Sequence, residues 1–87
     1  MKQPHIMLDE TLDARYAILP GDPARLDKIV PFLENVKEEG FNREYRSITG
    51  CYKGLKILGM STGMGGVSAA IGIEELKRIG VEAAIRI

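Results

Sequence analysis

Tyr16-Ala17-Ile18-Leu19-Pro20-Gly21-Asp22-Pro23-Ala24-Arg25 carries the end of a strand, a turn and the start of a helix in one short stretch. The apolar run Tyr16 to Leu19 is halted by Pro20-Gly21, the pattern of a buried strand feeding a tight loop. Asp22 is a good N-cap and Pro23 suits the first helical position, so a helix should begin there. Leu26, Ile29, Val30 and Leu33 continue at i, i+3, i+4 and i+7 as one apolar stripe. Pro31 cannot donate its backbone hydrogen bond, which predicts a kink or an early end.

Upstream, residues 1–14 are mixed and polar and read as an N-terminal arm. Downstream, Val36 to Phe41 fits a strand. Tyr45 to Tyr52 and Leu55 to Met60 flank Lys53-Gly54, a two-residue hairpin turn. The glycine-rich run Ser61-Thr62-Gly63-Met64-Gly65-Gly66 precedes a helix over Val67 to Ile79. Ala69, Gly72, Ile73, Leu76 and Ile79 should line its buried face, Glu74 and Arg78 should pair along its outer face, and Gly80 should end it. Val81 to Ile87 begins a further strand. The order strand, helix, hairpin, helix, strand is that of an α/β fold with a mixed central sheet flanked by helices. Because the chain stops inside that last apolar strand, residues 1–87 are expected to be the N-terminal portion of one longer domain.

Composition narrows the function classes. Of 87 residues, 45% are hydrophobic and 28% charged, with 12 Lys and Arg against 12 Asp and Glu. A neutral chain lacks the basic excess of a general nucleic-acid binder, so no nucleic-acid partner is expected. An anion would have to be held by a few placed arginines. The single cysteine, Cys51, excludes an intrachain disulfide, suits a cytoplasmic protein and reads as a small buried apolar residue. No apolar run is long enough for a signal peptide or a membrane span, so no membrane partner is expected.

Two arginines sit where physical chemistry asks for a partner. Arg25 lies in the first turn of a helix, where a cation is unfavourable unless an anion joins it. Free N–H groups at that terminus, with Gly21 allowing close approach, would favour the same anion. Arg86 sits among Ala83, Ala84, Ile85 and Ile87 in a run expected to be buried, and an unpaired buried guanidinium is costly. The residues alone leave open whether Arg25 is simply solvated beside an ordinary Asp-Pro cap, and whether Arg86 pairs with Glu82 rather than with a ligand. Arg43 and Arg46 read as a solvated polar loop. His5 lies in the arm, and Met64 in the glycine-rich loop.

YAILPGDPARLDKI, NREY, TGCYKG, STGMGGVSAAIGIEELKRIG and AAIRI follow one another in the order and spacing of a known family. The chain resembles the N-terminal part of bacterial nucleoside phosphorylases of the hexameric kind, which include uridine phosphorylases and purine nucleoside phosphorylases. The resemblance implies the N-terminal part of a phosphorylase/hydrolase-like fold and a pentosyl transfer, in which phosphate splits the N-glycosidic bond of a nucleoside to give ribose 1-phosphate and free base. It implies that Gly21, Arg25 and Arg86 hold phosphate, with Arg86 catalytic, and that Arg43 reaches the phosphate of the neighbouring subunit's site. His5 would bond the neighbour's ribose 5′-hydroxyl, and Met64 would lie against ribose. Nucleoside and inorganic phosphate are the implied ligands; phosphate is a co-substrate, and no cofactor or metal is implied. The implied assembly is a homo-oligomer with a dimer as catalytic unit, a hexamer in the full-length protein.

STGMGGVSAAIGIEEL is closer to uridine phosphorylases, whereas Pro4-His5-Ile6 and TGCYKG are closer to the purine enzymes; uridine is slightly favoured. Hydrolytic nucleosidases of the same superfamily generally lack the phosphate-gripping arginines. A non-catalytic phosphate-binding or oligomerisation module is the reading from another class. In the family, the carboxylate that grips the ribose hydroxyls and the base pocket come after the position matched by Ile87, so the 87-residue chain alone is expected to be inactive.

Overall fold

The computed structural model describes residues 2–63 and 65–87. Five strands form one mixed sheet in the order β2-β3-β4-β1-β5. They are β1 (Tyr16–Leu19), β2 (Glu34–Asn42), β3 (Tyr45–Tyr52), β4 (Leu55–Met60) and β5 (Ala83–Arg86). β2, β3 and β4 make an antiparallel meander, while β1 lies parallel to both β4 and β5. Two α-helices accompany them, α1 (Leu26–Ile29) and α2 (Gly66–Arg78).

Local chemistry explains most of these bounds. Lys53 and Gly54 turn from β3 to β4 with φ of 50° and 83°, the two positive values of a type I′ turn, and Tyr52 pairs with Leu55 across it. Gly80, at φ 102°, ends α2: its N–H reaches the Lys77 carbonyl and that of Val81 the Leu76 carbonyl, the paired bonds of a Schellman cap. The stretch after Gly21 is less helical than its apolar stripe suggests. Pro23–Arg25 is a 3₁₀ turn, α1 spans four residues, and Val30–Phe32 is again 3₁₀ around Pro31. The expected early end is thus observed. β2 is longer than expected and carries register shifts near Asn35, at φ 54°, and before Gly40.

The main core lies between one sheet face, α2 and the arm. Ala17 and Leu19 of β1, Leu58 and Met60 of β4 and Tyr45 of β3 meet Leu76 of α2 and Ile79 just beyond its end. The described part of the arm, residues 2–14, is packed down. Ile6, Leu8, Leu12 and Ala14 are buried in the same core. On α2, Ile73 is more exposed than its spacing suggests, Glu75 is buried in its stead, and Glu74 and Arg78 are exposed and form no ion pair. On the opposite sheet face Leu26 of α1 is fully buried over Gly59 and Ile48. Cys51 is half-buried on β3 rather than in the core.

Gly72 shows how closely α2 sits. A Cβ there would lie 3.0 Å from Cε1 of Tyr45 and 3.2 Å from Cε of Met60. The Tyr45 ring cannot swing aside freely, because its hydroxyl donates to the Ser68 carbonyl at 2.6 Å. Alanine would gain about 1 kcal/mol of helix propensity over glycine, but overpacking costs about 1–3 kcal/mol. Gly72→Ala is therefore expected to lower stability by about 1 kcal/mol, read as a lower urea midpoint at unchanged slope.

Candidate functional site

The three parallel strands release the chain at the same end of the sheet. β1 runs into Pro20-Gly21, β4 into Ser61-Thr62-Gly63, and β5 ends at Arg86. In open α/β sheets, the carboxyl ends of parallel strands form the ligand crevice. Here the connections are bonded to one another. The N–H groups of Thr62 and Gly63 donate to the Pro20 and Gly21 carbonyls, each at 2.9 Å. Leu19 is in register with Arg86, and the Ile87 N–H donates to the Leu19 carbonyl at 3.2 Å. Gly21, Arg25 and Arg86 thus belong to one edge of the fold.

Asp22 caps the following turn as expected, its Oδ1 accepting from the Ala24 N–H at 2.9 Å. The dipole argument does not carry over. A single 3₁₀ turn followed by a four-residue α1 aligns few peptide dipoles, so positive potential at this loop comes from the side chain of Arg25. Arg25 is exposed. Arg86 is exposed as well, contrary to the expectation of a buried guanidinium: β5 is an edge strand, and nothing among the described residues covers its faces fully. It does not pair with Glu82. Ion pairs among the described residues involve only His5 and Arg46, so Arg25, Arg43 and Arg86 all keep their guanidinium forks free of carboxylates.

A second group gathers at the hairpin between β2 and β3. Arg43 occupies that turn at φ 54° and is exposed. Its neighbour Glu44 fastens the turn: a carboxylate oxygen accepts from the Ser68 hydroxyl at 2.6 Å, and the backbone carbonyl accepts from the Ser61 hydroxyl at 2.5 Å. The Ser68 bond holds the Glu44 carboxyl below its ordinary range. Asn42, next to Arg43, donates its side-chain amide to the His5 carbonyl at 2.6 Å. His5 and Arg43, the two residues expected to serve a neighbouring subunit, are therefore tied into one corner. The two groups adjoin at Gly63, whose N–H holds Gly21 and whose Cα faces Glu44, with 3.2 Å left for a Cβ. Met64 lies outside the described residues.

Glu75 anchors His5 and escaped the sequence reading. Nearly buried on α2, it accepts from the backbone N–H groups of His5 and Ile6, each at 3.0 Å, and its second oxygen lies 2.5 Å from His5 Nδ1. An ionised carboxylate only accepts, which makes Nδ1 the donor, and the His5 side chain keeps 42% of its surface exposed. Burial pushes the Glu75 carboxyl up, but the Ile6 N–H and the His5 side chain outweigh it and leave the carboxyl below its ordinary range.

Arg46 is the second miss, because it is not a solvated cation. Its Nε and Nη2 grip the Glu38 carboxylate at 3.2 and 2.7 Å, Nη2 also reaches Asp27 at 2.9 Å, and Nη1 donates to the Pro23 carbonyl at 3.1 Å. These partners, Glu38 first and Asp27 second, raise its already high pKa. Their spread over three segments left no sequence pattern to find.

With this geometry in view, relatives can be compared. The family model described as the phosphorylase superfamily matches residues 15–87. A uridine phosphorylase of Thermococcus kodakarensis is 53% identical over 74 residues, which cover 85% of this chain and 27% of that protein. A guanosine phosphorylase of Halorubrum lacusprofundi is 42% identical over 85 residues, covering 98% of this chain and 35% of that protein. The crystal structure of uridine phosphorylase from Vibrio fischeri superposes with a TM-score of 0.95 at 45% identity, over 99% of this chain and 36% of that one. The chain thus spans about a third of the length of the relatives it matches. A family match across most of the chain, on a fold shared nearly end to end, makes it a member of the phosphorylase superfamily.

Proposed function

We propose that this chain builds the phosphate side of a nucleoside phosphorylase active site, in a cytoplasmic enzyme with uridine as the favoured nucleoside. The observation that carries the reading is the pair Arg25, in the turn after β1, and Arg86, at the end of β5: the two strands are parallel neighbours that end on the same side, and neither arginine pairs with a carboxylate among the described residues. Phosphorolysis places a phosphate dianion against the anomeric carbon of ribose as the glycosidic bond breaks through an oxocarbenium-like state. The work is positioning and electrostatics. Planar guanidinium forks meet phosphate oxygens in pairs, which suits arginine better than lysine.

In this scheme Gly21 admits the phosphate to the loop backbone, Arg25 and Arg86 orient it, and Arg86 stabilises the charge as the bond forms to carbon. Arg43 and His5 serve the site of a neighbouring subunit in a dimer, within a larger homo-oligomer, with His5 Nε2 toward the ribose 5′-hydroxyl. The fixed corner made by Asn42, Glu44 and Glu75 supports that role, since it presents both residues outward. Among the described residues no helix is long and apolar enough to cross a membrane.

The test is an assay of the full-length protein with uridine and with inosine, each with and without phosphate. Ribose 1-phosphate and free base should form only with phosphate, and faster from uridine. Faster turnover of inosine would assign the purine reading, which the guanosine phosphorylase relative favours. Cleavage by water alone would make the protein a nucleosidase.

A further inference from the structure

We infer that Arg46 is a positioning residue for phosphate, holding the Gly21–Arg25 loop in its binding shape without touching the ligand. The inference rests on the phosphorylase reading. The loop is held at two places. At its start, the N–H groups of Thr62 and Gly63 hold the carbonyls of Pro20 and Gly21. At its far end, Arg46 Nη1 holds the carbonyl of Pro23, two residues before Arg25.

Arg46 also stands behind the first grip. Its backbone N–H donates to the Ser61 hydroxyl at 2.9 Å, and its carbonyl accepts from the Ser61 N–H at 3.0 Å. One residue of β3 therefore ties together the strand end that holds Gly21 and the turn that carries Arg25.

The guanidinium has a second effect on the same ligand. Asp27, in the helical turn after Arg25, and Glu38 on β2 are both more than half exposed. Unpaired, these carboxylates would repel a dianion brought to the loop. Arg46 engages both, so its own charge is spent and the net charge of the cluster falls from two negatives to one, which weakens the repulsion without abolishing it. Its side chain is only 16% exposed and its fork is already filled, which makes it a poor phosphate ligand and a good brace.

Both effects act on phosphate and neither on the nucleoside, so a selective kinetic change is expected. In the full-length protein, Arg46→Met should raise the KM for phosphate about tenfold or more while the KM for uridine stays within about twofold. Arg46→Lys keeps the charge but cannot meet Pro23, Asp27 and Glu38 together, and should fall between wild type and Arg46→Met. If Arg46→Met does not fold, the lysine variant decides by the same ratio. A folded variant whose two KM values are unchanged, or change in step, overturns the inference. Wild-type protein without phosphate-dependent cleavage overturns the phosphorylase reading and this one together. Phosphate-dependent wild type with an unchanged Arg46→Met ratio overturns this one alone.

Discussion

Arg25→Ala in the full-length protein should lower kcat/KM for phosphate by about 10²–10³, the loss seen when one charge-stabilising donor is removed from an active site. Stability should hardly move. Arg25 is exposed on a 3₁₀ turn, and its side chain makes no hydrogen bond or ion pair among the described residues. Substitutions at such positions stay within about 0.5 kcal/mol. Activity and stability therefore separate, and thermal melting alongside phosphate-dependent kinetics reads both. A variant that keeps its phosphate kinetics would remove Arg25 from the site. A lysine there should recover only part of the activity, because a point charge cannot meet two phosphate oxygens as a fork does.

Glu75 is expected to show the reverse. Glu75→Leu should destabilise the full-length protein by about 3 kcal/mol or more, since it strands two backbone donors at about 1–3 kcal/mol each. Ile6, one of those donors, is 1% exposed, so water cannot replace the lost acceptor. Removing the desolvated carboxylate returns some of that loss, but less than the three bonds it accepts. Glu75→Gln keeps one oxygen acceptor and should cost about half as much.

The pH dependence follows in sign. The folded state holds the Glu75 carboxyl below its ordinary range, so the unfolded chain binds the proton more readily. The stability contributed by Glu75 is present above the ordinary glutamate range and drains away as pH falls through the lowered value. Urea titrations across that range should show wild type and Glu75→Gln converging on acidification. A gap that stays constant would mean that the charge of Glu75 contributes nothing.

Much of the framework was readable in the order of residues. β1, the Lys53-Gly54 hairpin, the Pro31 break and the Gly80 cap each follow from local chemistry confined to a few neighbours. What escaped depends on partners distant in sequence. Ile6, Leu8, Leu12 and Ala14 alternate along the chain, but Glu10 breaks the alternation and Pro4, Asp9 and Asp13 surround it with polar or turn-forming residues, so no sustained strand pattern marked them as core. Glu75 carries no local signal of burial beside exposed Glu74, because the N–H groups that converge on it come from the arm about 70 residues away. β5 shows the limit of apolarity as a guide: Ala83 to Ile87 are apolar enough to be buried, yet burial needs a covering element, and Ile85 is 66% exposed. For the candidate site, Arg25 and Arg86 stood out from local sequence, whereas the contacts of Glu44, Arg46 and Glu75 depend on partners distant in the chain and did not.

The place of β1 in the sheet also bears on when the site comes into being. β2, β3 and β4 are consecutive in the chain and pair with short connections, so they can close early at small entropic cost. β1 precedes them all but is flanked only by β4 and β5, both far along the chain. High contact order of this kind slows assembly. On the ribosome, β1 must wait for β4 and then for β5 before it is enclosed, although it leaves first. The loop bearing Gly21 and Arg25 should therefore be among the last parts of this chain to take its final shape, and a nascent chain carrying a finished meander should still lack any grip on an anion.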